Sequence, residues 1–204
     1  YVKLKAFAKT ILVRLYLLKV AIGKFIFGIS TVVSALETCR NIFAGPLLQK
    51  YGAVLGEGIH FKGRYFFDNV TGDEDSTNDF RKLSIGSGSV IGKGVFFDLT
   101  GEIKLGDQVG IGAQSMLMTH MDLGRMPMAS IYPRHVASIQ IDDGTFLGAH
   151  VIIIPGVHLG SCCVVAAGSV ITESFPPYSL IAGVPARLVR TLEPPQASKG
   201  LHFA

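Results

Sequence analysis

Cysteine and charged residues are both scarce in this sequence. The cysteines are Cys39 and the adjacent pair Cys162 and Cys163, which excludes a disulfide framework and leaves no CxxC spacing for a metal. We therefore predict a reducing, cytoplasmic location and no bound metal. Charged residues are 17% of the chain against 49% hydrophobic residues, which excludes intrinsic disorder except at the ends. At 204 residues the chain is too short for two full-sized enzyme domains, so one catalytic unit is expected.

Acidic residues are nearly absent from the first 50 positions, which carry eight Lys or Arg and one acid. The net charge is +7 in this segment and −3 in the remaining 154 residues. No basic stripe interleaved with aromatic residues follows it. This distribution argues against nucleic acid as a partner and fits an anionic membrane surface better.

A long uncharged hydrophobic run is also missing. The longest such run in the apolar N-terminal stretch, residues 25–36, has 12 residues, whereas a spanning helix needs about 20. No cleavage site typical of a signal peptide follows the stretch. We expect residues 1–50 to form a basic helical segment with a break near Gly23 to Gly28. Two interpretations remain for it: packing on the protein or between subunits, and attachment to a membrane surface.

A six-residue repeat fills most of the remaining sequence. Its leading aliphatic or aromatic residues form three series, which are Ile85, Ile91 and Phe97; Leu105, Ile111 and Leu117; and Ile141, Leu147, Ile153, Leu159, Val165 and Ile171. The first two series are offset by two residues around Thr100 and Gly101. A period of six fits neither a helix nor a meander of long strands. It predicts an all-β solenoid of very short strands, with the leading residue pointing inwards and Gly tolerated at tight turns.

Two segments interrupt the repeat. Residues 69–82 are acidic and polar, and residues 121–140 contain Gly124, Pro127 and Pro133. We expect both to be loops at one edge of the solenoid, where function usually lies. The predicted organisation is the helical segment 1–50, a repeat domain over 51–192 with these two loops, and a C-terminal tail over 193–204.

Residues 50–192 resemble the hexapeptide-repeat acyltransferases. The resemblance rests on residues 103–112 (IKLGDQVGIG), 119–122 (THMD), 147–157 (LGAHVIIIPGV), 166–172 (AAGSVIT) and 182–187 (AGVPAR). It implies a left-handed parallel β-helix and a homotrimer that transfers an acetyl group from acetyl-CoA. The order of the motifs is most similar to O-acetyltransferases of sugars and surface polysaccharides, which implies a sugar or lipid-linked glycan as acceptor.

The resemblance also implies roles for individual residues. His120 matches the catalytic histidine and would act as the general base. Asp122 would orient His120 or bind acceptor hydroxyls, and Asp98 would face the acceptor groove. The positions expected to contact acetyl-CoA are Ala149, Ala167, Gly168, Thr172, Arg187 and Arg190. Glu173 stands where many relatives carry Lys.

Several alternatives stay open at this point. No Gly-x-Ser-x-Gly elbow is present, so direct attack in a ternary complex is preferred to a serine acyl-enzyme. Serine and antibiotic O-acetyltransferases are the alternatives among enzymes of this type. A γ-class carbonic anhydrase needs three His ligands for zinc, and no second His follows His120 five residues on. A non-catalytic scaffold is the remaining alternative.

Overall fold

The N-terminal segment forms three helices. The structure, a computed structural model, describes residues 2–194. Helix α1 spans Val2–Phe27, α2 spans Ser30–Thr38 and α3 spans Asn41–Lys50. The chain turns between α1 and α2 at Gly28, whose φ of +79° favours glycine. Among residues 2–194, no helix combines the length and the apolar character needed to cross a membrane.

The break predicted near Gly23 to Gly28 lies at Gly28, and α1 continues through Gly23. A Cβ at Gly23 would lie 2.7 Å from Cγ2 of Thr31 on α2. Gly23 therefore lets α2 fold back closely onto α1. The predicted break is therefore confirmed at Gly28, and a third helix, α3, follows within the segment 1–50.

Very short strands follow the helices. They are β1 (Val54–Leu55), β2 (His60–Phe61), β3 (Phe66–Asp68), β4 (Leu83–Ile85), β5 (Val90–Ile91), β6 (Phe96–Asp98), β7 (Ile103–Leu105), β8 (Gly110–Ile111), β9 (Met116–Leu117), β10 (His120–Met121), β11 (His135–Val136), β12 (Ile139–Ile141), β13 (Phe146–Leu147), β14 (Ile152–Ile153), β15 (His158–Leu159), β16 (Val164–Val165), β17 (Val170–Ile171), β18 (Ser179–Gly183) and β19 (Ala186–Thr191). A short 3-10 helix, Pro127–Ser130, lies between β10 and β11.

Strands β10 and β11 pair with each other in the antiparallel direction. The other strands lie in three sheets of parallel strands, which successive strands enter in turn. Sheet 1 has the order β1-β4-β7-β12-β15, sheet 3 has the order β3-β6-β9-β14-β17 read from its other end, and sheet 2 contains β2, β5, β8, β13, β16 and β18. Strand β19 extends sheet 2 in the antiparallel direction. Ile153 pairs with Ile171, 18 residues on, so three hexads make one coil. Phe97 pairs with Leu117, 20 residues on, which places the two-residue offset of the repeat within that coil.

The leading residues of the hexads form the core. Ile91, Leu117, Ile141, Leu147 and Ile153 are completely buried. The fifth position of the hexad, represented by Val151 and Thr145, also points inwards. The inward orientation predicted from the period is therefore confirmed. Helices α2 and α3 cover the first coil, where Val32, Leu36 and Leu47 join the same core.

The glycines after the leading residues have a different cause from the predicted tight turns. A Cβ on Gly112 would overlap the backbone of Gly148 and Ala149 on the next coil. The φ of Gly112 is not in the left-handed region. Close stacking of successive coils therefore requires glycine there, rather than an unusual backbone conformation.

All departures from the six-residue period lie at one corner of the coil. Residues 69–82 connect β3 to β4, the two extra residues near Thr100 connect β6 to β7, and residues 121–140 lie between β9 and β12. Each connection runs from sheet 3 to sheet 1. We call this the insertion corner, and it carries the candidate site.

Candidate active site

A buried carboxylate, Asp98, lies at the centre of the insertion corner. It ends β6, and its side chain has no exposure to solvent. Its Oδ1 accepts hydrogen bonds from Asn69 Nδ2 (3.2 Å), Thr100 N (3.1 Å) and Thr100 Oγ1 (2.7 Å). Its Oδ2 accepts from Thr119 N (2.7 Å), His120 N (2.9 Å) and His120 Nδ1 (2.7 Å). Each carboxylate oxygen therefore has three donors.

These hydrogen bonds keep Asp98 ionised. Burial by itself raises the pKa of the carboxyl group, but the donors from His120, Thr100 and Asn69 outweigh burial and lower the pKa to about 2. The group is therefore a carboxylate throughout the neutral range. A buried charge of this kind is tolerated because its oxygens are fully hydrogen-bonded.

The ring of His120 forms a hydrogen bond with the Asp98 carboxylate through Nδ1. Because an ionised carboxylate only accepts hydrogen bonds, Nδ1 of a neutral His120 must carry the proton. Its Nε2 then keeps a lone pair, and this atom has no hydrogen-bond partner within residues 2–194. The side chain is 18% exposed. The imidazole is thus held in one tautomer with a proton-accepting atom available.

The two-residue offset of the repeat at Thr100 and Gly101 supplies hydrogen bonds that hold the chain around Asp98 and His120. Thr119 Oγ1 accepts from Gly101 N at 2.8 Å and donates to the carbonyl of Asp98 at 2.8 Å. A Cβ on Gly101 would lie 3.0 Å from Cβ of Thr119, so the two coils approach closely here. Thr100, Thr119 and Asn69 were missed as site residues by the sequence analysis, although the offset at Thr100 and Gly101 was visible.

Asn69 brings the loop 69–82 to the same carboxylate. It has a φ of +54°, a conformation that Asn tolerates better than most residues. Its carbonyl accepts from Ser76 Oγ at 2.9 Å within the loop. Asn69 also borders a cleft of about 220 Å³ between α2 and β3, in which Ser34, Glu37 and Asp68 provide polar groups. The cleft therefore adjoins Asp98 through Asn69.

Asp122 lies outside the contact with His120. It accepts from Gly124 N at 2.7 Å and from Arg134 Nη1 at 3.1 Å. These contacts, with the backbone donor as the main cause, hold the pKa of Asp122 below its usual value. The orienting carboxylate next to His120 is Asp98. Asp98 is buried, and each of its two oxygens already accepts three hydrogen bonds. Its side chain therefore does not face a groove for the acetyl acceptor, contrary to the prediction from the sequence.

Arg134 ties the two inserted loops together. Its guanidinium holds both oxygens of Asp73, at 2.7 and 3.0 Å, and contacts Asp75 at 2.8 Å and Glu74 at 3.3 Å. These three acids lie in loop 69–82, whereas Arg134 and its other partner, Asp122, lie in loop 121–140. The hydrogen bonds that Arg134 donates to Asp73 are the main cause of the raised pKa of Arg134. The network fixes one loop against the other beside the histidine.

The residues expected to contact acetyl-CoA lie elsewhere. Ala149 and Ala167 follow β13 and β16 at the corner between sheets 2 and 3, which we call the amide corner. Their backbone N–H groups have no acceptor in the described chain, while Ala149 O accepts from Gly168 N at 2.9 Å. Thr172 is exposed after β17.

The two expected phosphate-binding arginines lie on β19. Arg190 is exposed, and Arg187 Nη1 donates to Glu173 Oε1 at 3.1 Å. Glu173 therefore forms an ion pair with one of the two arginines, Arg187. Within 2–194, no group of three or more His, Cys, Asp or Glu could hold a metal ion.

The comparisons with known proteins agree with the repeat. Residues 138–173 match the family model described as the hexapeptide repeat of succinyl-transferase. The galactoside O-acetyltransferase of Escherichia coli K12 is 32% identical over 147 residues, which cover 72% of this chain and 59% of the relative. The 2,3,4,5-tetrahydropyridine-2,6-dicarboxylate N-acetyltransferase of Brevibacillus brevis is 34% identical over 80 residues, 39% of this chain and 34% of that enzyme. The chain thus spans about a third of the length of the Brevibacillus relative.

A solved structure shares the fold. The hexapeptide-repeat acetyltransferase of Vibrio cholerae, determined with acetyl-coenzyme A, superimposes with a TM-score of 0.66 at 23% identity. The superposition covers 81% of this chain and 86% of the Vibrio chain. The similarity therefore extends well beyond the residues matched by the repeat model.

Proposed function

We propose that this chain is a hexapeptide-repeat acetyltransferase that transfers an acetyl group from acetyl-CoA to a hydroxyl group of a sugar, as the repeat match and the galactoside O-acetyltransferase relative support. The observation that carries this proposal is the pair of the buried Asp98 carboxylate and His120, which leaves Nε2 ready to accept a proton. The galactoside O-acetyltransferase relative supports a sugar as acceptor. We propose a surface polysaccharide or lipid-linked glycan as the class of acceptor.

In the proposed reaction His120 is the general base. Nε2 takes the proton of the sugar hydroxyl while the hydroxyl oxygen attacks the thioester carbonyl and forms the new C–O bond. The tetrahedral intermediate then collapses with breakage of the C–S bond. The imidazolium returns its proton to the departing sulfur, so the products are the acetyl ester and CoA with a free thiol. Asp98 is a positioning residue that holds the tautomer and stabilises the imidazolium by its charge.

The proposed acetyl-CoA site lies along the amide corner. The unpaired N–H of Ala149 would donate to the thioester carbonyl oxygen as it gains negative charge. Ala167, Gly168 and Thr172 would line the pantetheine arm. Arg187 and Arg190 would contact the nucleotide phosphates, for which cations are suited.

A homotrimer would bring the two parts of the site together. Within one chain, the insertion corner with His120 and the amide corner with Ala149 are separated by sheet 3. Loop 121–140 also exposes apolar side chains, with Met126 65% and Ile131 74% exposed. We propose that this loop packs on a second copy and places His120 beside that copy's amide corner. Light scattering would show a trimer, and an active monomer would contradict this arrangement.

We propose that the three-sheet coil is a left-handed parallel β-helix, which the superposition on the Vibrio enzyme supports. The division into 1–50, 51–192 and 193–204 stays a prediction, and residues 195–204 lie outside the described part of the chain. We further propose a cytoplasmic location, peripheral to the membrane; three free cysteines support a reducing compartment.

The test is acetyl-CoA turnover against a panel of acceptors. The panel contains glycosides, oligosaccharides and lipid-linked sugars, with serine and antibiotics to represent the alternative acceptors. We expect ester formation with a sugar, and His120→Ala should lower kcat/KM by about 10² to 10⁴ without weakening CoA binding. His158→Ala is the matched control, because His158 Nε2 also pairs with an aspartate, Asp142, at 2.8 Å, but at an exposed position on sheet 1. Full activity of His120→Ala, or no sugar acetylation by the parent protein, would contradict the proposal.

A further inference from the structure

The outer face of α1 carries a continuous apolar stripe. Its side chains, spaced by three or four residues, are Phe7, Ile11, Leu15, Leu18, Ile22 and Phe25, and all are exposed. Leu15 is 59% exposed and Phe25 is 92% exposed. The opposite face packs on the protein through Val13, Tyr16 and Val20. The stripe is therefore a surface that this chain does not cover.

Cations border the stripe on both sides. At about 100° per residue, Arg14 and Lys19 lie on opposite edges of the stripe. Helix α1 contains no Asp or Glu, and the first acid of the sequence is Glu37. The stripe thus combines an apolar centre with positive edges and no compensating acid on the same helix.

A cavity adjoins the Arg14 edge. It has a volume of about 680 Å³ and lies between α1, α3 and the turn from β1 to β2. Lys9 and Arg14 provide its positive charge, while Ile42 and Phe61 provide apolar walls. In the described chain neither cation forms an ion pair with a carboxylate. Lys9 lies on the side of α1 that packs on the protein, so Arg14 is the cation that this cavity offers at the edge of the stripe.

We propose that α1 lies flat on an anionic phospholipid surface, with the stripe in the interface and lipid phosphate groups at Arg14 and Lys19 along its two edges. The stripe runs about 27 Å from Phe7 to Phe25, calculated from the helical rise, so the helix is long enough to make an extended contact. Cations at its edges reach the headgroups while the apolar side chains enter the upper acyl region. This proposal deepens the peripheral location proposed above by naming the surface and the lipid charge.

Charge favours lipid over a second copy of this chain. If two α1 stripes packed together, Arg14 and Lys19 of each copy would face like charges, and α1 supplies no carboxylate to compensate them. An anionic leaflet instead attracts every one of these cations. The apolar residues of α2 play no part, because Val32 and Leu36 are completely buried. The contact therefore belongs to α1 rather than to the whole of residues 1–36.

The test is flotation of the full chain with vesicles of phosphatidylcholine that contain about 30 mol % phosphatidylglycerol. The variant Arg14→Gln with Lys19→Gln should weaken partitioning about 30-fold, because each cation near the leaflet strengthens it about fivefold. The variant Leu15→Gln, Leu18→Gln and Ile22→Gln should weaken it at least about tenfold and should do so at high salt as well. The control, Lys93→Gln with Lys104→Gln, removes two exposed lysines from the coil and should partition like the parent.

Acetylation of a soluble sugar should be unchanged in all these variants, which separates this proposal from the proposed reaction. No flotation of the parent protein at low salt would overturn both the peripheral location and the proposed surface. Flotation of the parent that the α1 variants do not weaken would overturn the proposed surface alone. A change of oligomeric state in the stripe variants without lipid, measured by sedimentation, would show that copies of the chain cover the stripe and would also overturn it.

Discussion

Replacing Asp98 by Asn tests the central pair of the candidate site. Both oxygens of Asp98 accept three hydrogen bonds, whereas an Asn side chain has one accepting oxygen and a donating NH₂ group. If NH₂ takes the place of Oδ2, it faces the donors of Thr119 and His120. If it takes the place of Oδ1, it faces those of Thr100 and Asn69. In either orientation the NH₂ group of the Asn side chain, itself a hydrogen-bond donor, faces other donors.

The cost to stability follows from the pKa of Asp98. A fall from 3.8 to about 2 corresponds to about 2 kcal/mol of folding free energy at neutral pH. Because the folded-state pKa is the lower one, this stability is present above pH 3.8 and is lost as the pH falls towards 2. Asp98→Asn should therefore be less stable by at least about 2 kcal/mol at pH 7, and the difference should shrink below pH 3.8. Urea unfolding at a series of pH values measures this.

The effect on activity follows from the tautomer of His120. Without the carboxylate, Nδ1 is no longer held as the donor, and a proton on Nε2 removes the base. We expect kcat/KM to fall by about 10² to 10⁴, close to the effect of His120→Ala. Because Asp98 acts through His120, Asp98→Asn should add little to the loss in a His120→Ala background.

Asp142→Asn is the matched control, since Asp142 pairs with His158 at an exposed position. It should change stability by less than about 1 kcal/mol and leave activity unchanged. The reasoning is refuted if Asp98→Asn keeps full activity with a folded structure, or if its stability deficit is equally large at pH 7 and pH 2.

Two further predictions concern the loops and the coil stacking. Arg134→Gln removes the link between Asp73 and Asp122, so limited proteolysis within 121–140 should become faster and the KM for the acceptor should rise. The control is Arg81→Gln, because the partner of Arg81, Asp79, lies in the same loop as Arg81. Equal proteolysis of the two variants would argue against the link. Gly112→Ala places a Cβ against the backbone of Gly148 and should lower the free energy of unfolding by about 1 to 3 kcal/mol, and an unchanged urea midpoint would contradict this stacking argument.

The repeat could be predicted well because each hexad obeys the same local rule. Ile141, Leu147 and Ile153 face the core because a short strand and a turn occupy six residues, which brings the same face inwards in each hexad. The break at Gly28 could be predicted from its backbone freedom. The continuation of α1 through Gly23 could not, because it depends on the approach of Thr31 from another helix.

The site was predicted in part. The sequence motif selected His120, and the offset around Thr100 and Gly101 marked the place where the repeat is altered. The resemblance implied that Asp122, two residues away, orients His120 or binds acceptor hydroxyls. In the structure Asp98, 22 residues earlier, is the partner, because stacking of one coil on the next brings β6 beside β9.

The sequence by itself determined the features that local order controls: the period of the strands, the inward side chains, the basic N-terminal segment and the positions of the two loops. Only the tertiary structure decided which groups meet across coils. The pairing of strands 20 residues apart brought Asp98 against His120, and the packing of loop 69–82 against loop 121–140 brought Asp73 to Arg134, which also donates to Asp122. Hydrogen bonds between side chains depend on distances of a few ångströms in three dimensions, and separation along the chain does not specify those distances.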